Sequence, residues 1–144
     1  MSSKNYKDSE NYKKGLEVYA SKYEPQRLKR LDALYEFSPD LADVVISHGL
    51  CDIWVNKTPN LSTQEKEIAV LASLITSCTV HSEIKAHAQC LLNVGVTKDK
   101  IKDLLILLTL YIGVPKIVVA RQLIEEAFNE YDLARTPVVG SNNL

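Results

Sequence analysis

The chain has 144 residues, of which 46% are hydrophobic and 24% charged, with a formal net charge of −1. That length fits one domain with a proper core, and the composition excludes a disordered chain. A near-neutral balance gives no global pull toward nucleic acid or an anionic membrane surface, so neither is expected as a partner. The opening stretch, MSSKNYKDSENYKK, is polar and has no signal-peptide core, which predicts a cytoplasmic protein. The longest apolar run, Leu104 to Val114, is broken by Thr109 and Gly113 and is too short to span a bilayer. Cys51, Cys78 and Cys90 are odd in number and form no Cys-x-x-Cys pair, so no disulfide framework is expected and each reads as a small buried apolar residue.

Helical punctuation dominates and strand patterns are nearly absent. A first helix is predicted from near Ser9 to about Tyr23, with Leu16, Tyr19 and Ala20 on one face and Pro25 ending it. A basic segment, Gln26 to Arg30, leads to Leu31, Leu34 and Tyr35. Ser38 and Pro39 form an N-cap and first helical position, followed by Leu41, Val44, Val45 and Ile46, with Gly49 as the expected stop. Cys51 to Lys57, which carries the only tryptophan, Trp54, is predicted as a further turn or two. Ser62-Thr-Gln-Glu65 is a capping box before Ile68, Leu71, Ala72 and Ile75.

Ser82 is read as opening another helix, which closes at Gly95. Thr97 caps the next, and Gly113-Val-Pro115 breaks it. A last helix runs from Pro115 to near Leu133, and residues 134–144 read as a flexible tail after a single domain of residues 1–133. The second half of the Thr97-capped helix, LLILLTLY, is apolar on nearly every side and should be buried on every side. A chain this small has trouble enclosing such a helix alone, which points to a homo-oligomer.

Chemistry is concentrated in Glu83-Ile-Lys-Ala-His87-Ala-Gln-Cys-Leu-Leu-Asn93-Val-Gly95-Val-Thr97. Glu83 and His87 are four apart and share a helix face, so they can form a general acid/base pair. A surface ion pair or a core histidine has the same spacing. Cys78, His81, Glu83 and His87 are possible zinc ligands, but His81 and His87 fall on different helical faces, so no metal or other cofactor is expected.

This segment resembles the signature of the carboxymuconolactone decarboxylase family: Glu, three residues, His, an Asn a turn or two on, then Gly-Val-Thr. Ile101 to Pro115, with its Gly-Val-Pro ending, is similar to the family's next helix, and Cys51-Asp-Ile-Trp54 to its tryptophan segment. The resemblance spans roughly residues 10 to 130 in the expected order. It implies an all-α, alkylhydroperoxidase D-like domain of about six helices, assembled as a trimer or hexamer. It also implies a lyase of aromatic catabolism, acting on a small carboxylated, lactone-type substrate through His87, Glu83 and Glu67. Trp54, Lys66, Gln89, Asn93 and Tyr111 are the implied substrate-binding positions, with Trp54 and Tyr111 as apolar walls.

Two departures matter. The thiol-peroxidase branch carries Cys-x-x-Cys where this chain has Val80 and Glu83, so that redox cycle cannot run. A displaced pair, Cys78 with His81, leaves a different thiol antioxidant as an alternative. The decarboxylase pattern has arginines where this chain has Gln89, Lys66, and Asn56 with Lys57, which leaves the lactone substrate and a non-catalytic helical oligomer both open.

Overall fold

The structure, a computed structural model, describes residues 5–137. After a short 3-10 turn come α1 (Glu10–Lys22), a second 3-10 turn, α2 (Leu28–Phe37) and α3 (Pro39–Asp43). α3 runs without a break into a π-helical segment (Val44–Lys57), and α4 (Thr63–Ser77), α5 (His81–Asn93), α6 (Lys98–Ile112) and α7 (Val114–Arg135) follow. The fold is all-α, with seven α-helices and no strand among the described residues. No helix in them is long and apolar enough to cross a membrane. The proposed tail is described only as far as residue 137, and helix α7 extends two residues past Leu133.

The caps follow local chemistry. Ser9, Ser38 and Thr97 each accept a hydrogen bond from a free backbone N–H of the first turn they precede. Ser62 and Glu65 satisfy each other reciprocally. Two expectations need correction. Helix α5 starts at His81 with Val80 in the cap position, so Ser82 lies inside it. Gly49 does not stop its helix, because the wider π-helical turn carries the chain through it to Lys57.

Two apolar clusters divide the interior. Tyr12, Tyr19, Leu31, Ala42 and Ile46 join α1 to α2, α3 and the π-helical segment. Leu71, Ile75, Ile84, Leu91, Ile101, Ile124 and their neighbours join α4 to α7. The buried stripe of α1 is Tyr12, Gly15, Tyr19 and Lys22 rather than the Leu16–Tyr19–Ala20 face read from apolar spacing, and Ala20 is exposed. Gly15 sets that rotation: a Cβ there would collide with the Ile46 carbonyl, so the two backbones touch.

The all-round burial expected for the second half of α6 is not found in the single chain. Ile106 is 70% exposed, Leu110 82% and Tyr111 77%. Ile101 and Leu105 face the core, and one chain has no further layer to cover the opposite side.

Candidate functional site

At the seam between the two clusters, four polar side chains from three helices form one chain of hydrogen bonds. Glu67, on the inward face of α4, has no solvent exposure and is held from both sides. Lys22 at the end of α1, 2% exposed, donates from Nζ to Glu67 Oε1 at 2.8 Å. His87, on α5, places Nδ1 2.8 Å from Glu67 Oε2. Its Nε2 lies 2.9 Å from the Tyr23 hydroxyl.

Burial pushes the Glu67 carboxyl up, but the His87 hydrogen bond and the Lys22 ammonium outweigh it and hold the group below its usual value. Glu67 is therefore ionised, and Nδ1 of His87 carries the proton that bonds it. Burial pushes the Tyr23 phenol far up, so Tyr23 keeps its proton and its hydroxyl faces Nε2 of His87. The arrangement is one hydrogen-bonded chain: ammonium, carboxylate, imidazole, phenol.

The helix-sharing pair Glu83–His87 does not form the contact expected of it. Glu83 turns to Arg27, at 3.2 and 3.4 Å, and to Arg30, at 3.6 Å. The physical reason is competition: His87 has a buried, ionised carboxylate on the neighbouring helix, whereas Glu83 sits at the rim beside two guanidiniums.

The other positions separate. Trp54 and Lys66 come together, with the Lys66 ammonium 5.5 Å from the Trp54 ring centre and donating to its carbonyl. Tyr111 does not join them; it stands exposed at the end of α6, because that helix packs on α7 rather than on the π-helical segment. Asn93 clamps the chain after α1 by donating to the Lys22 carbonyl at 2.9 Å, and it accepts from Arg135. Gln89 donates to Glu130 at 3.0 Å and borders a rim cleft with Arg27, Arg30 and Lys85. Asn56 and Lys57 are exposed at the end of the π-helical segment.

His81 meets the carbonyl of Cys78, at 3.2 Å from Nε2, and not its thiol. Cys78 is the left-handed C-cap of α4, with φ 53°, which turns its backbone oxygen toward α5. Cys51 and Cys90 are buried, as expected of small apolar residues. Glu67, His87 and Cys90 bring possible ligand atoms within 4.8 Å of one another. Burial pushes the Cys90 thiol far up, and the Lys22 ammonium already holds Glu67, so this cluster suits protons better than a divalent cation.

Lys22 and Tyr23 were not singled out by sequence. One signal was present: Lys22 is in phase with Tyr12, Gly15 and Tyr19, so a lysine sits on the buried stripe of α1. A cation at such a position requires a buried partner.

The sequence profile of the Carboxymuconolactone decarboxylase family matches residues 39–126. The chain is also similar to the 4-carboxymuconolactone decarboxylase of Acinetobacter baylyi, with 28% identity over 128 residues, covering 88% of this chain and 93% of the relative.

Proposed function

Because this chain belongs to the carboxymuconolactone decarboxylase family, we propose that it is a decarboxylase-like lyase acting on a small carboxylated substrate, a lactone acid in the first instance. The observation that carries the proposal is the buried Lys22–Glu67–His87–Tyr23 relay. In decarboxylation, the C–C bond to the carboxylate breaks and CO2 leaves. The electron pair spreads into a neighbouring carbonyl as an enolate, and a proton then returns to carbon. The relay suits the last step. Tyr23 and His87 supply the proton, and Glu67, held ionised by Lys22, stabilises the imidazole as its charge changes. Enclosure strengthens these interactions over their values in water. Glu83 is an outer charge that fixes Arg27 and Arg30 rather than a partner of the imidazole.

The same reading takes the chain as a subunit of a homo-oligomer, a trimer or hexamer, with the exposed apolar side of α6 against a second copy. Its support is the run of uncovered side chains at Ile106, Leu107 and Leu110.

The test is release of CO2 from 4-carboxymuconolactone and related lactone acids by the purified protein. His87→Gln keeps an amide donor for Glu67, so the fold is expected to persist while turnover falls by about 10²–10⁴. No turnover of any small lactone acid, or full turnover in His87→Gln, would overturn the proposal.

A further inference from the structure

Helix α1 stops at Lys22, and Tyr23 and Glu24 leave it in extended backbone, with φ/ψ of −90°/153° and −62°/145°. The Lys22 carbonyl is one of those that a helix end leaves without a partner inside the helix. Asn93, the last residue of α5, supplies one. Its Nδ2 donates to that carbonyl at 2.9 Å and faces Glu24 Oε1 at 3.4 Å. Helix α5 also carries His87, whose Nε2 meets the Tyr23 hydroxyl. One helix thus grips the end of α1 at two points, the backbone and the phenol.

The orientation of the Asn93 amide is set from α7. Arg135, the last residue of that helix, donates from Nη2 to Asn93 Oδ1 at 2.8 Å and to Glu24 Oε1 at 3.2 Å. A guanidinium has donors only, so it takes the amide oxygen, and this turns the amide nitrogen toward Lys22. The guanidinium is itself held, with its carbon 3.4 Å from the Tyr131 ring centre and Nη1 on the Tyr131 carbonyl at 3.1 Å. Glu24 is 7% exposed, and Arg135 is the cation that balances it.

We propose that Asn93, Glu24 and Arg135 are positioning residues, which fix the end of α1 so that the Lys22 ammonium reaches Glu67 and the Tyr23 hydroxyl reaches His87. The inference rests on the acid/base reading above and deepens it. It also takes Asn93 out of the substrate-binding set, since both ends of its amide are committed within the protein. The last residue of α7 then acts on the imidazole through Asn93 and the end of α1, without touching it.

The ring nitrogens of the three histidines report on this without any substrate. His48 and His81 are exposed and serve as internal references, while His87 is buried against Tyr23. In nitrogen NMR spectra of the full chain, Tyr23→Phe removes the hydroxyl and marks where the Nε2 signal of His87 goes when that contact is lost. Asn93→Ala and Arg135→Gln are expected to move the signal toward that position, with His48 and His81 unmoved and circular dichroism unchanged. Arg135 is exposed, so Arg135→Gln decides if Asn93→Ala does not fold. Lys98→Gln breaks another ion pair to the same end of α7, at Asp132, and should leave the signal in place. With a lactone acid that turns over, kcat should fall roughly 10- to 100-fold in Arg135→Gln while KM changes less than about twofold. An unmoved His87 signal in Arg135→Gln, even with a lowered unfolding midpoint, would mean that the three residues only hold helices together. An equal shift in Lys98→Gln would mean general loosening. Either result, or a moved signal with unchanged kcat, overturns the inference. The two readings fail separately. A moved signal in a protein with no turnover keeps the positioning and removes the reaction, and turnover with an unmoved signal does the reverse.

Discussion

Glu67 has a cation on one oxygen and an imidazole on the other, and it has no solvent exposure. Lys22→Met removes the cation and leaves a buried carboxylate half-compensated. The expected cost is about 3–5 kcal/mol, read from urea unfolding, and Lys22→Met/Glu67→Gln should recover much of it because no charge is then stranded. The same group sets an acid limit. Its folded value lies below the ordinary 4.5, so its contribution is complete above that pH and is lost as pH falls through the lower folded value. Cys90 and Tyr23 set an alkaline limit. Both are raised by burial above ordinary values of 9.0 and 10.0, so their contribution is present below those values and lost as pH rises past them. Melting temperature should fall on both sides of this window, and Cys90→Ala should flatten the alkaline side; an unchanged alkaline slope would contradict the assignment. Sequence pointed to both Glu67 and His87 but matched His87 to Glu83. Four residues of spacing favour that pair within one helix, whereas the actual partner is 20 residues away on another, a distance that no local spacing encodes.

Elements were legible wherever their signals were local. The caps at Ser9, Ser38, Ser62 and Thr97 use their own side chains on the turn that follows, so residue type and offset suffice to find them. The π-helical segment was not legible. Glycine marks helix ends often enough to make Gly49 look like one, and the wider turn that passes through it has no comparable sequence mark. Nor did apolar spacing find the face of α1, because a glycine and a lysine occupy half of its buried stripe. Gly15→Ala is the test of that packing. The added methyl has backbone in its way, not a movable side chain, so a loss of at least about 1–3 kcal/mol is expected in thermal or urea unfolding. A neutral result would mean that α1 can pull away from the π-helical segment without cost.

For the whole molecule, the helix that looked apolar on all sides is half-uncovered in one chain, and a second copy is the cover proposed for it. Leu110→Asp, placed where exposure is 82%, should leave the single-chain core untouched and shift light scattering toward the mass of one chain. Retention of a larger assembly would move the interface elsewhere. Periodicity shows that a face needs covering but carries no information on how many copies meet there, since that number depends on the angle between them. The block that matches the family, residues 39–126, contains Glu67 and His87, while Lys22 ends α1 and Tyr23 is its C-cap, both ahead of that block. Acid and imidazole thus come from the residues that the family profile matches, and the cation and phenol bonded to them come from the end of α1, ahead of that block. Substitutions confined to the end of α1 would therefore change the cation and phenol around this pair while leaving residues 39–126 as they are.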